Sequence, residues 1–118
     1  GYGRLVGQPI ATWLLKSGAT LAVMGDEKSF DPEVLKKADI VVSGAGKPRL
    51  ITGDMVKEGA IVVDVGVSEV AGTLVGDVDA GSVAEKASFL TPQKGGVGPL
   101  TVAFIFHNLL NLQSKIDT

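Results

Sequence analysis

Apolar positions along this chain follow two alternating patterns: short β-branched runs, and longer stretches with a helical period, punctuated by glycine and proline. The stretch "VGQPIATWLLKSG" has helical spacing, with Pro9 in its first turn and Gly18 where a left-handed residue closes a helix. "ATLAVM" is a continuous apolar run that stops at Gly25, and it predicts a buried strand. "SFDPEVLKKAD" predicts a helix with Asp31 as N-cap and Pro32 next. "IVVSGAG" predicts a strand running into a glycine turn. "ITGDMVKEG" predicts a short helix capped by Thr52 and stopped at Gly59, and "AIVVDVG" another strand. Beyond these, "LVGDVD" reads as a short extended piece and "DAGSVAEKA" as a helix capped by Asp79. "SFLTP" reads as the last strand, and "GPLTVAFIFHNLLNL" as a helix led by Pro99.

Strands that alternate with helices predict an α/β fold: a doubly wound, Rossmann-like parallel sheet with helices on both faces. The chain opens directly on the glycine turn "GYGRLVG", a turn that normally follows a strand. The expectation is therefore one dinucleotide-binding domain over residues 1–118 that lacks its first strand. Ligands of such sheets bind beyond the C-terminal strand ends. The turns to inspect are "GYGRLVG", "MGDEKSF", "SGAGKPR", "DVGVS" and "TPQKGGVGP".

Composition narrows the function. With 118 residues and 45% apolar content, the chain suffices for one packed core. A formal net charge of −2 offers no basic face to nucleic acid. The lack of cysteine removes disulfides, thiolate nucleophiles and zinc-finger sites, and a single histidine without an acidic cluster argues against a catalytic metal. No apolar run reaches the length of a bilayer span, so a soluble, cytoplasmic protein is expected.

In the first turn, Gly1 and Gly3 allow backbone to approach a pyrophosphate, while the following helix aims its free N–H groups and positive end at it. The Gly1-x-Gly3-x-x-x-Gly7 spacing departs from G-x-G-x-x-G, and a structural glycine turn is the alternative. Asp26 lies at the end of the predicted second strand, where a carboxylate accepts from ribose hydroxyls; a turn aspartate beside Gly25 is its plainer reading. Gly44 in "SGAGKP" and Val67 in "DVGVS" fall on the nicotinamide side. Asp64, inside its strand, reads as a hydrogen-bonded structural carboxylate. In "TPQKGGVGPLT" the glycines and Pro99 set a second helix N-terminus toward the cleft, with Thr101 placed to bond a ligand amide. His107 has no acid or nucleophile near it in sequence and is given no role. Nothing in the chain reads as a general base or nucleophile, so no catalytic residue is assigned.

These motifs resemble the C-terminal nucleotide-binding domain of the bifunctional methylenetetrahydrofolate dehydrogenase/methenyltetrahydrofolate cyclohydrolases. The resemblance runs in order along essentially the whole chain, through "GRLVGQP", "GKPRLITGDMVKEGAIVVDVGV", "LVGDVD" and "TPQKGGVGPLT". It implies an NAD- or NADP-dependent oxidation of 5,10-methylene-tetrahydrofolate followed by hydrolysis of the methenyl product. By position it implies Gly1, Tyr2 and Gly3 at the pyrophosphate and adenosine, Asp26 at the adenosine ribose or its 2′-phosphate, and Val67 and Thr101 near the nicotinamide. Lys94, Gly95, Gly96, Val97, Gly98 and Pro99 fall in the loop that closes the folate cleft. The resemblance also implies a homodimer and an N-terminal folate-binding domain, absent from this chain, that carries the catalytic lysine and tyrosine. Two substitutions depart from the family: Lys94 stands where proline is usual, and Tyr2 where arginine is common. With that cation gone and Asp26 facing the ribose, NAD is expected over NADP. Two alternatives stay open: an NAD-binding regulatory module without catalysis, and another two-domain NAD-dependent dehydrogenase.

Overall fold

The structure, a computed structural model, describes residues 1–116. Its centre is a three-stranded parallel sheet in the order β1-β2-β5, built from β1 (Ile40–Ser43), β2 (Ile61–Asp64) and β5 (Phe89–Leu90). The register sets Val41 beside Val62 and Val62 beside Leu90, so these three side chains share one face. Onto that face pack Leu35, Ile51, Val56 and Val83, and Val62 and Val83 are wholly excluded from solvent. Ile40, Ile61 and Phe89 form the row on the opposite face and remain 55%, 39% and 52% exposed.

The helices sit close to where the pattern predicts them. α1 (Gly7–Lys16) ends at Ser17, followed by Gly18 at φ +82°. α2 (Pro32–Leu35) is capped by Asp31, whose Oδ1 accepts from the Glu33 N–H at 2.9 Å. α3 (Ala80–Ala84) follows Asp79, which sits at the N-cap position as expected, but its carboxylate takes the Ser82 hydroxyl at 2.6 Å and caps no backbone N–H. α4 (Val97–Ile116) is the longest, and none of its residues is buried. It is not long and apolar enough to cross a membrane, nor is any other described helix.

Three local expectations need correction. The helix predicted after Thr52 is a single 3-10 turn (Gly53–Met55), and the Thr52 hydroxyl bonds the Asp54 carboxylate instead of capping it. "LVGDVD" is more than an extended piece. Its first two residues complete β4 (Thr73–Val75), which pairs antiparallel with β3 (Ser68–Val70) through a two-residue turn at Ala71 and Gly72. Both turn residues have positive φ, +50° and +78°, as the primed hairpin turns require.

The third correction concerns residues 19–25. They run from α1 without joining the sheet, and among the described residues, 20–25 make no backbone–backbone hydrogen bond. A strand exists only through a paired neighbour. Here a cavity of about 800 Å3 lies along the segment instead, lined by Ile10 and Leu14 of α1, Ala22 and Met24, and Val41 and Val42 of β1. Among the described residues β1 itself is paired on one edge only, to β2.

Candidate functional site

The strand ends and the turns that follow them form the site. At the first turn the chain passes so close to the third that a Cβ on Gly1 would lie 2.3 Å from the Gly44 carbonyl oxygen. The turn then folds onto the start of α1: a Cβ on Gly7 would lie 2.2 Å from the Gly1 oxygen and 2.7 Å from the Tyr2 Cα. The Gln8 N–H closes it by donating to the Gly3 carbonyl at 3.0 Å. Glycine at position 7 is thus required by backbone packing, a role that spacing alone does not reveal. α1 begins with no side-chain cap at Val6 and no acid in its first turn. Within that first turn the Gln8 N–H is taken by Gly3 and Pro9 has none, so the Gly7 N–H and the positive end of the helix are what it offers an anion from outside.

The second turn meets the first at Tyr2, whose Cβ would be 3.4 Å from a Cβ on Gly25. Asp26 follows, exposed on the cavity wall that Gly1, Gly44, Ala45 and Lys47 also line. Its Oδ1 accepts from both the Ser29 N–H and the Ser29 hydroxyl, each at 2.8 Å. These bonds, the hydroxyl's first, hold the Asp26 carboxyl below its ordinary range. Asp26 is therefore also the turn aspartate of the plainer reading, and the "D-E-K-S" spacing is the sequence signal for that turn. Beside it, Glu27 pairs with Lys47 across the turns, and that hydrogen bond and charge lower the Glu27 carboxyl as well.

Behind these turns two aspartates hold the backbone. Asp64, at the end of β2, accepts from the N–H groups of Gly66, Asp77 and Val78 at 2.9, 3.2 and 3.0 Å. This is the structural carboxylate expected at that position. Asp77 in turn accepts from the Ser43 hydroxyl and from the N–H groups of Ala45 and Lys47. Sequence reasoning gave Asp77 no role. Its signal would have been a buried acid after a hairpin, which cannot be seen until the hairpin is recognised.

Gly1, Gly44 and Asp26 thus come to one cavity, with Tyr2 against its Gly25 wall. Val67, Lys94 and Thr101 are not among the residues that line it. Val67 is 67% exposed on the loop before β3, and Ser68 next to it donates to the Gly46 carbonyl at 3.1 Å. The Thr101 hydroxyl donates to the Val97 carbonyl one helical turn back, at 3.2 Å. Gly95 and Gly98 are open on their side-chain directions, whereas a Cβ on Gly96 would lie 2.4 Å from the Pro92 oxygen. His107 meets Phe104 edge to face at 6.1 Å.

Residues 1–117 match the family described as the tetrahydrofolate dehydrogenase/cyclohydrolase NAD(P)-binding domain. The bifunctional protein FolD of Lactobacillus helveticus is 47% identical over 115 residues, which are 98% of this chain and 41% of that protein. A bifunctional methylenetetrahydrofolate dehydrogenase/cyclohydrolase from Campylobacter jejuni superposes with a TM-score of 0.86 at 45% identity, over 92% of this chain and 39% of that one. The Trypanosoma brucei enzyme, solved with NADP cofactor and an inhibitor, gives a TM-score of 0.88 at 38% identity, over 98% of this chain and 42% of that one. The chain spans about two-fifths of the length of these relatives. A parallel sheet with glycine turns at its strand ends, and this agreement over nearly every residue, lead to one assignment: the chain belongs to the NAD(P)-binding-domain family of the tetrahydrofolate dehydrogenase/cyclohydrolases.

Proposed function

We propose that this chain is the dinucleotide-binding part of an enzyme of one-carbon folate metabolism. That enzyme oxidises 5,10-methylene-tetrahydrofolate with NAD(P) and hydrolyses the methenyl product to 10-formyl-tetrahydrofolate. The carrying observation is the close packing of Gly1 on Gly44 and of Gly7 on Gly1 and Tyr2 at the start of α1, which has no side-chain cap, with Asp26 on the next turn after Gly25, itself against Tyr2. Backbone this close, at a helix start without an internal acid, fits a pyrophosphate. In this reading residues 1–3, the Gly7 N–H and the positive end of α1 hold the phosphates, and Asp26 faces the adenosine ribose. Gly44, Val67 and Thr101 border the nicotinamide, and residues 94–99 border the folate. The cofactor supplies a hydride acceptor, and this chain supplies its wall.

The folate-binding portion and the groups that move protons belong to another part of a longer, cytoplasmic, homodimeric protein. The cavity along residues 19–25 and the one-sided pairing of β1 support a further strand between them. Asp26 and the uncharged Tyr2 favour NAD over NADP, since a carboxylate repels a 2′-phosphate and holds free hydroxyls.

The test has two stages. Calorimetric titration of the protein with NAD and with NADP should show saturable binding. Residues 1–118 should then replace the matching segment of the Lactobacillus helveticus relative and support folate-dependent reduction of NAD(P), while the 118-residue chain alone shows no turnover. A folded chimera that binds folate and does not reduce the cofactor would refute the reading, as would turnover by the chain alone.

A further inference from the structure

We propose that Asp77 is a positioning residue for the dinucleotide: it fixes, from behind, the turn of residues 43–47 that the cofactor crosses. This rests on the reading of the turns at the strand ends, residues 1–7, 25–27 and 43–47, as a dinucleotide site. Asp77 is fully buried and is not among the residues that line the cavity, whereas Ser43, Gly44, Ala45 and Lys47 are. Its Oδ2 accepts from the Ser43 hydroxyl at 2.8 Å and the Ala45 N–H at 2.6 Å, and its Oδ1 from the Lys47 N–H at 2.8 Å. Alternate amides of one turn thus converge on a single carboxylate, as they do around anions bound in backbone concavities.

Two consequences follow for the ligand. The Ala45 and Lys47 amides are engaged inside the protein, so this turn offers a phosphate neither of them. It presents the backbone of Gly44 instead, whose place is set by Asp77 and by the contact with Gly1. The carboxylate is itself seated tightly: a Cβ on Gly66 would lie 2.1 Å from its Cγ, and the Asp77 N–H donates to Asp64. Asp77 therefore ties the turn after β1 to the turn after β2, the two that flank the proposed nicotinamide side.

An amide cannot replace this carboxylate. In Asp77→Asn one acceptor oxygen becomes an NH2 donor, and it must face at least one of the two backbone N–H groups. The turn then opens to relieve a donor facing a donor. The test compares Asp77→Asn with Val83→Ala, a fully buried site on α3 away from the cavity lining. Asp77→Asn should weaken NAD and NADP alike by about tenfold or more, because the turn serves both. Val83→Ala should lower stability and leave both affinities within about twofold. Equal affinities for Asp77→Asn and the unmodified protein would overturn the proposal and leave the dinucleotide reading standing. No binding by the unmodified protein would instead remove that reading, and the proposal with it. Should Asp77→Asn fail to fold, amide hydrogen exchange on the unmodified protein decides. Protection at Ala45 and Lys47 that increases with cofactor supports the assignment, and open-loop exchange at both overturns it.

Discussion

Replacing Gly7 by alanine separates two effects that a glycine at a helix start combines. Alanine favours the helical conformation over glycine by no more than about 1 kcal/mol. Against that gain, the new methyl would stand 2.2 Å from the Gly1 oxygen and 2.7 Å from the Tyr2 Cα, both backbone atoms. To restore an ordinary carbon–oxygen contact the first turn must move by roughly 1 Å. Overpacking costs about 1–3 kcal/mol in a closed core. This turn is exposed and yields more cheaply, so the net change in stability should stay within about 1 kcal/mol. Binding is less forgiving, because the same movement carries Gly1 away from Gly44 and displaces the turn proposed to hold the pyrophosphate. A loss of about tenfold in affinity for both dinucleotides is expected, equivalent to about 1.4 kcal/mol. Urea unfolding and calorimetric titration of the same preparation measure the two quantities together. An alanine variant with higher stability and undiminished affinity would show that the first turn does not rest on α1 when the cofactor is bound.

Four further outcomes are expected. In the chimera with the Lactobacillus helveticus relative, Asp26→Ser should shift the ratio of kcat/KM for NAD and NADP toward NADP, measured at one ionic strength; an unchanged ratio would leave Asp26 as the Ser29-bonded turn residue alone. Val62, wholly buried at the centre of β2, should cost about 2 kcal/mol in urea unfolding when changed to alanine. Phe104, Phe106 and Leu110 on α4 are 59%, 63% and 65% exposed, so the protein should enhance the fluorescence of a hydrophobic dye, and changing all three to glutamine should abolish most of that signal. Lys57 lowers the Asp39 carboxyl from its ordinary 3.8, so this pair adds stability above that pH that disappears as the pH falls through the lower folded value. The acid limb of stability should accordingly be shallower in Lys57→Gln, and an unaltered limb would show the exposed pair to be energetically silent.

The sequence was legible where local rules suffice. Asp31 before Pro32 marked a helix start because the cap bond spans two residues, and Gly18 marked a helix end because only its own backbone is involved. "IVVS" and "IVVD" were strands by β-branching, and the sheet confirmed both. "ATLAVM" had the same apolar signature and failed, because pairing is supplied by a neighbour that local composition does not encode. The hairpin escaped notice because its turn is Ala-Gly, and alanine seldom takes the positive φ that Asn or Asp signals. The glycine turns were located correctly as a class. Which of them meet in space depended on contacts such as Gly1 with Gly44, which are separated by most of the first half of the domain. The two carboxylates illustrate the same limit: Asp64 could be read from its own strand, whereas the partners of Asp77 lie 30 to 34 residues away.

The interlock of Asp64 and Asp77 also dictates where this domain tolerates a change of length. Asp64 binds the amides of residues 77 and 78, and a Cβ on Gly76 would strike it at 2.1 Å. The chain between them thus leaves and returns at two pinned points, and an insertion at either would unseat a turn of the cofactor wall. The excursion itself, β3 and β4, ends in a tip at Ala71 and Gly72 whose neighbours Val70 and Leu74 are 46% and 71% exposed. Extra residues grafted at that tip would only lengthen a loop whose ends are already joined. The hairpin is accordingly the place to carry a fluorophore, an affinity tag or a reporter, with the proposed dinucleotide site left undisturbed.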